Sequence, residues 1–264
     1  MDPFENPAEG LFVTSLSSNH YLVLNKFPVI PDHFILATKE FKEQTDLLEE
    51  DDIGAAYACL ASYRQEGEEL FGFFNSGAHS GASQPHRHIQ FLPVESMRSG
   101  VGEGISWNVL ADSLKRDQDG INLPFTYFAA TLPKGATPIQ LHRIYRTLYE
   151  KALKTAQQFS ESSGTSFSLV KTTRDNESRI SYNMGLTDQV MVICPRVSEG
   201  LKVTSKIGEI IGTVALNGTV LGGTLLVKSE AEWQALRSDE SKLVEILKAI
   251  GIPSAKLADY NKRL

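Results

Sequence analysis

His86-Arg87-His88-Ile89-Gln90-Phe91-Leu92-Pro93, entered through the small-residue stretch Asn75-Ser76-Gly77-Ala78-His79-Ser80-Gly81-Ala82-Ser83-Gln84-Pro85, is the segment around which the rest of this chain arranges itself. Ile89, Phe91 and Leu92 favour a pleated, half-buried conformation. Pro85 biases Gln84 towards an extended backbone, and Pro93 closes the run. The pattern predicts a strand of about seven residues, an ordinary length. Alternate side chains of a strand share one face at roughly 6.6 to 7 Å spacing, so His86, His88 and Gln90 are expected to project together beside the loop. A loop rich in Gly and Ser offers backbone N–H groups and hydroxyls, the materials of an anion-binding nest. An imidazole row beside such a nest points to phosphate chemistry.

Transfer of a nucleotidyl or phosphoryl group through the protein needs a nucleophile that is unprotonated near neutral pH, attacks phosphorus and leaves again. Imidazole, with an ordinary pKa of about 6.5, meets these needs. The other ring nitrogen must be held by an acceptor so that the free lone pair faces the substrate, and the sequence leaves that acceptor open. Gln90 and the loop from Ser80 to Gln84 are expected to take up charge developing on the phosphoryl oxygens. If the site leaves the imidazole unshifted, activity should fall as pH drops through about 6.5. Two histidines at i and i+2 alone are common on exposed strands and too few for zinc, and a Gly/Ser loop alone is unspecific. Their adjacency makes the case.

The chain has 264 residues, 41% of them hydrophobic, enough for a sizeable core in one large domain or two intimately packed halves. Twenty-six Lys and Arg against 32 Asp and Glu, a net charge of −6, provide no extended basic surface for nucleic acid, so an anionic ligand must be held locally. Cys59 and Cys194 fit two reduced core thiols better than a disulfide framework or a zinc site. No apolar run approaches the roughly 20 residues of a membrane span, and Met1-Asp2-Pro3-Phe4 does not read as a signal peptide, so the expected location is cytoplasmic, with the nucleus also open.

Working outward from the histidine segment, Tyr21 to Asn25 and His33 to Thr38 read as a hairpin turning through Pro28, Pro31 and Asp32. Ile53, Ala56, Tyr57, Leu60 and Ala61 recur at helical spacing, with Asp51 and Asp52 at the positive end. Leu70 to Asn75 reads as the strand before the loop. Residues 95–120 are interrupted by Gly and Asp and read as a linker or mobile cover. Phe125 to Thr131 is a further strand, and Thr137-Pro138 opens a helix through Ile144, Leu148, Ala152, Ala156 and Phe159. Ser166 to Thr172, Arg179 to Leu186 and Val190 to Cys194, the last stopped by Pro195, read as strands. Ala231 to Ile250 reads as helix broken near Ser238-Asp239. Hairpins separated by helices indicate an α+β fold with an antiparallel sheet.

Ser80-Gly81-Ala82-Ser83-Gln84-Pro85-His86-Arg87-His88-Ile89-Gln90 resembles the active-site motif of the fungal ATP adenylyltransferases, or diadenosine tetraphosphate (Ap4A) phosphorylases, of the histidine-triad and galactose-1-phosphate uridylyltransferase superfamily. Leu24-Asn25-Lys26-Phe27-Pro28, Phe74-Asn75-Ser76-Gly77, Ser181-Tyr182-Asn183 with Thr187, Pro195-Arg196 and Gly223-Thr224-Leu225-Leu226-Val227-Lys228 extend the likeness along nearly the whole chain. It implies a histidine-triad-like antiparallel sheet, a half-barrel flanked by helices, built as two related halves in one domain. Residues 1–120 would carry the phosphate loop and the H-x-H-x-Q motif, and residues 121–264 would close the nucleotide site.

The resemblance further implies a two-step reaction. His88 attacks the α-phosphorus of Ap4A to form a covalent adenylyl-histidine and release ATP, and inorganic phosphate then takes the adenylyl group to give ADP, reversibly. Gln90 stands where histidine-triad hydrolases carry a third histidine, which goes with transfer to phosphate rather than to water. His86, His88 and Gln90 are thus the implied catalytic set. Asn75, Gly81, Ala82, Ser83, Gln84 and Gln90 match polyphosphate-binding positions, Asn25 and Lys26 line the nucleotide site, and Asn183, Met184 and Thr187 belong to the second-half segment that closes over the ligand. The partners so implied are small molecules: Ap4A, ATP, ADP, AMP and phosphate, with neither nucleic acid nor membrane; the oligomeric state stays open.

No Asp/Glu cluster reads as a protein metal site, so a divalent cation such as Mg²⁺ would travel with the polyphosphate. Two departures from the family pattern bear on rate and specificity. Family members usually carry several dozen residues ahead of the equivalent of Phe4, including a phosphate-holding lysine, and the segment Met184 to Val190 lacks the bulkier and charged residues common there. An adenylylsulfate-dependent ADP-forming transferase and a non-catalytic nucleotide sensor stand as alternatives. Of the other histidines, His142 reads as a solvated helix residue, His20 and His33 as structural residues flanking strands, and His79 as a loop residue near phosphate.

Overall fold

The hydrophobic runs assemble into one antiparallel sheet whose two faces have different work. In the computed structural model, which describes residues 2–99, 101–102, 104–114, 122–163, 169–205 and 208–254, the strands are β1 (Phe12–Ser15), β2 (His20–Leu24), β3 (Phe34–Thr38), β4 (Leu70–Ser76), β5 (His88–Pro93), β6 (Phe128–Thr131), β7 (Ser181–Leu186) and β8 (Val190–Arg196). They lie in the order β1-β2-β3-β5-β4-β7-β8-β6 as an open sheet, every neighbouring pair antiparallel. Strands from before residue 120 form one side and those from after it the other, joined where β4 pairs with β7 from Gly72↔Leu186 to Ser76↔Tyr182. β9 (Gly200–Thr204) and β10 (Ile210–Ala215) form a separate hairpin.

The period of two sorts side chains between the faces. Phe34, Leu36, Phe74, Ile89, Phe91, Met184 and Leu186 point to the back, where they pack with residues of α1 (Glu50–Gln65) and α4 (Pro138–Ser163) in the main core. Val23, Ile35 and Ala37 point to the front and meet Phe4 and Tyr21, while Phe71, Phe73 and Leu92 meet β9, β10 and α6 (Ser241–Ile250). β8 is buried on both faces, which explains its unbroken apolar run: Met191 and Ile193 serve the back core, Val190, Val192 and Cys194 the front. The front face near Phe4 is where the site opens.

The helices start as their sequences prescribe. Asp52 accepts the N–H of Glu49 at 2.8 Å at the head of α1, and Thr137 Oγ1 accepts the N–H of Gln140 at 3.3 Å ahead of Pro138. The tail divides into α5 (Glu230–Ser238) and α6 at the expected break. Cys59 and Cys194 are both free and buried, and burial pushes each thiol up to about 12.

Several expectations change. β5 begins at His88, because the chain before it leaves the ladder and His86 makes only an isolated bridge with Glu43. β8 continues through Pro195 to Arg196: β6 pairs with it only as far as Ile193, and beyond that the outer side meets an isolated bridge of Arg196 with Gly251, which leaves Pro195 outside any ladder there, where proline is tolerated. Residues 95–120 include α2 (Val94–Arg98) and α3 (Leu110–Ser113), and 115–120 lie outside the described residues. The strand expected over 166–172 lies partly outside them as well, and 169–172 are irregular. His142 is half-buried and bonds the Leu48 carbonyl at 3.1 Å through Nε2. β1 and the β9–β10 hairpin were not expected.

Candidate active site

β5 carries His88 and Gln90 two residues apart on the front face. His88 pairs with Ala37 of β3 on one side, and on the β4 side its backbone is held by a side chain rather than a strand. Gln44, itself buried, accepts the His88 N–H at 2.8 Å through Oε1 and donates through Nε2 to the carbonyls of Asn75 at 2.8 Å and His88 at 3.2 Å. One carboxamide thus splices β4 to β5 where their ladder ends. On the opposite face of the chain, buried Arg87 pairs with Asp52 at 2.8 Å and Glu49 at 3.0 Å, and Asp52 also meets His20 Nε2 at 2.8 Å. Removing one partner of such a buried pair costs about 3–5 kcal/mol. His20, Asp51 and Asp52 converge as a group, but Arg87 and His20 occupy the Asp52 carboxylate and the group does not line the cleft.

The acceptor that orients the His88 ring is the carbonyl of His86, 2.8 Å from Nδ1. A carbonyl can only accept, so Nδ1 carries the ring proton and Nε2 keeps its lone pair, with no partner among the described residues. The ring is 4% exposed and lies against Phe4, with centroids 5.0 Å apart. Burial pushes its pKa down to about 4, outweighing the hydrogen bond to the His86 carbonyl, which acts the other way. An unshifted imidazole, and with it a fall in activity near 6.5, is therefore not what the site provides: the free base persists well below neutrality.

His86 does not line the cleft. Its ring is 1% exposed, with Nδ1 2.7 Å from Asp2 Oδ2 and Nε2 2.8 Å from the Thr38 carbonyl. Its Thr38 and Asp2 contacts pin the residue whose carbonyl aims His88. Asp2 and Phe4 also strap the amino-terminal segment across the front face, and Tyr21 donates its hydroxyl to the Phe4 carbonyl at 2.6 Å.

The Gly/Ser loop holds its shape by its own bonds. Ser80 Oγ donates to the Gly77 carbonyl at 2.6 Å and accepts the Ala82 N–H at 3.3 Å. Gly81 has φ +76, and a Cβ there would lie 2.8 Å from the Asn217 Cβ; Gly77 has φ +87 against Ser181. Asn183 is fully buried and donates to Asn75 Oδ1 at 2.9 Å and to the Ser80 carbonyl at 2.8 Å, while Asn75 Oδ1 also accepts the Gly218 N–H at 2.8 Å. Asn183 Oδ1 accepts from Arg196, a fully buried arginine with no carboxylate partner among the described residues that also donates to the carbonyls of Ser198, Glu199, Leu216 and Ile250. Burial lowers that guanidinium to about 10, still charged at neutral pH.

A cleft of about 430 Å³ brings Asn25, Lys26, Ser83, Gln84, His88 and Gln90 together, with Phe4, Val23 and Ile35 as apolar wall. Gly81 and Ala82, expected to bind phosphate, belong to the same loop but do not line the cleft. Asn75 and Asn183 spend their polar atoms on loop and strand and do not line it. Met184, placed at the nucleotide site by the resemblance, points to the back of β7 into the core, as the period of two demands, and Thr187 instead bonds Asp112 at 2.8 Å. Sequence reasoning missed Gln44 and Asp2, and it gave Arg196, quoted in the Pro195-Arg196 match, no role. It treated His33 as structural, although His33 Nε2 lies 3.1 Å from Gln90 Oε1. The His33-Phe34 strand start opposite the motif was the available signal.

Two family models match the chain, the Ap4A phosphorylase N-terminal domain over residues 1–106 and the ATP adenylyltransferase C-terminal domain over 121–253. Diadenosine 5',5'''-P1,P4-tetraphosphate phosphorylase 2 of Saccharomyces cerevisiae is 29% identical over 272 residues, 96% of this chain and 77% of that protein. The fold is similar to the crystal structure of yeast Ap4A phosphorylase Apa2, with a TM-score of 0.72 at 27% identity over 96% of this chain and 82% of that one. The same yeast enzyme in complex with Ap4A matches with a TM-score of 0.67 at 25% identity, over 96% of this chain and 81% of that one. The two family models together span most of the chain, and the fold is shared with the yeast enzyme along 96% of it: the protein belongs to the Ap4A phosphorylase and ATP adenylyltransferase family.

Proposed function

We propose that this chain phosphorolyses Ap4A, converting Ap4A and phosphate to ATP and ADP, through a covalent adenylyl group on His88. The observation that carries the reading is the His88 ring itself, which is bonded at Nδ1 to the His86 carbonyl and keeps a free Nε2 beside the cleft. In the first step the Nε2 lone pair attacks the α-phosphorus. The N–P bond forms as the bond from that phosphorus to its bridging oxygen breaks, and ATP departs with the oxygen. In the second step an oxygen of inorganic phosphate attacks the same phosphorus, the P–N bond breaks, and ADP leaves with His88 restored as free base.

The protein's contribution is positioning and dipoles. The apolar wall of Phe4, Val23 and Ile35 suits a nucleoside, and Lys26 with the Ser83 and Gln84 loop faces the phosphates. A divalent cation enters with the polyphosphate rather than on protein carboxylates. The site sits in a protein with no helix, among the described residues, long and apolar enough to cross a membrane.

Incubation with Ap4A and phosphate should give ATP and ADP in equal amounts. With phosphate withheld, the protein should gain the mass of one adenylate, and His88→Ala should show neither. Products without a phosphate-sensitive adduct, or an adduct that survives His88→Ala, would remove the histidyl intermediate.

A further inference from the structure

The carboxamide of Gln90 has two ends of nearly equal size and opposite character, and only its N–H end can stabilise a phosphoryl oxygen. Something must choose between them. Phe27 N–H, which can only donate, lies 2.9 Å from one atom of the Asn25 carboxamide, so that atom is Oδ1 and the amide nitrogen faces His33. Asn25 Nδ2 lies 3.1 Å from His33 Nδ1 and 3.3 Å from Nε2, across the ring edge and nearer Nδ1. An N–H donor aimed at the ring disfavours imidazolium and favours a lone pair on the nearer nitrogen. The ring proton then sits on Nε2, 3.1 Å from Oε1 of Gln90.

We propose that His33 is a positioning residue for the transfer step: the sequence Phe27 N–H to Asn25, Asn25 to His33, His33 to Gln90 holds the oxygen of the Gln90 carboxamide back from the cleft and turns its amino group towards the α-phosphoryl oxygens. This rests on the reading of the cleft as an adenylyl-transfer site. His33 is buried and its ring lies 6.4 Å, centroid to centroid, from Phe73, so it has little freedom to turn. Burial holds its pKa down to about 4, in keeping with a neutral ring. Without the brace the carboxamide can rotate by half a turn and set its oxygen against the phosphoryl oxygens. The residue read from sequence as a nucleotide contact, Asn25, gains a second role as the group that selects the His33 tautomer.

The test combines kinetics with a measurement that needs no turnover. His33→Leu should lower kcat for Ap4A phosphorolysis about 30-fold, less than the roughly 100- to 1000-fold cost of deleting a direct transition-state donor, with KM changed less than about threefold. His33→Gln, whose terminal amide can donate from near the Nε2 position, should recover kcat to within about fivefold. In a Gln90→Ala background, His33→Leu should cost less than about twofold, because the brace has nothing left to hold. The nitrogen-15 shifts of histidine-labelled wild-type protein, assigned through the signal lost in His33→Leu, should show the Nε2–H tautomer for His33. Equal losses in both backgrounds, or failure of His33→Gln to exceed His33→Leu, overturn the proposal, as does an Nδ1–H tautomer. If the wild-type protein does not phosphorolyse Ap4A, the functional reading falls while the tautomer still decides the relay.

Discussion

Gln44 grips His88 from both sides of one residue, accepting its N–H at 2.8 Å and donating to its carbonyl at 3.2 Å. An opposed backbone residue would make the same two bonds in a regular ladder, but the β4–β5 register stops at Gln90 and the chain preceding β5 veers off to meet Lys42 and Gln44 instead. The placement of the nucleophile is thus delegated to a residue from a loop between β3 and α1.

Gln44→Met keeps the volume and removes the polar ends, stranding a buried N–H and two buried carbonyls. Each unsatisfied buried group costs about 1–3 kcal/mol, and partial relaxation should leave a total near 2–4 kcal/mol. Urea denaturation measures it, and a change below about 0.5 kcal/mol would show that the strand end holds itself.

Activity should be flat from pH 8 to about 5 and fall only as pH approaches 4, where burial places the His88 titration. Single-turnover adenylylation without phosphate isolates this step. A midpoint near 6.5 would mean that the ring is hydrated in solution, with Phe4 withdrawn from it.

Stability should follow the opposite trend from that of a histidine gaining a carboxylate. His33 and His88 are both pushed down to about 4 from an unfolded value near 6.5, so below 6.5 the unfolded chain takes up protons that the folded one refuses. Stability is therefore fully present above 6.5 and declines between about 6.5 and 4, by on the order of 2 kcal/mol for each ring at pH 5. Denaturation at pH 7 and pH 5, compared between wild type and a His33→Leu, His88→Leu double variant, isolates the difference; equal pH dependence in the two would contradict it.

Gly81→Ala forces an L side chain into φ +76 with its Cβ 2.8 Å from the Asn217 Cβ, whereas Gly10→Ala meets nothing within 4 Å. The left-handed conformation alone costs about 1–2 kcal/mol. Gly81→Ala should lower the melting temperature and raise KM for Ap4A, and Gly10→Ala should do neither. Matching behaviour of the two would show that the loop does not need that turn.

How far the sequence led depended on whether a residue's work was local. The hairpin of β2 and β3, α1 and its acidic head, α4 behind Thr137-Pro138, and His88 beside Gln90 follow from periodicity and turn chemistry within a few positions. Gln44, Asp2 and Arg196 act on partners 13 to 84 residues away, and an isolated Gln or Asp in a loop advertises nothing about what it will meet. Met184 shows a different limit. Its neighbourhood matched the family, but strand parity turned it to the back of the sheet while Asn183 faced the front. The ring acceptor of His88 was invisible for the simplest reason, being a backbone carbonyl that every residue has.

The five-residue pairing of β4 with β7 makes the floor under the reaction one unbroken plank shared by both halves of the polypeptide. In the two-step cycle proposed above, ATP would have to leave and phosphate enter while the adenylate stays bonded in place, and a plank without a seam does not gape to allow it. Traffic must instead cross the rim, past the Phe4 strap and the Ser83-Gln84 edge, so changes there should govern how fast cargo is exchanged and leave the bond-making step alone.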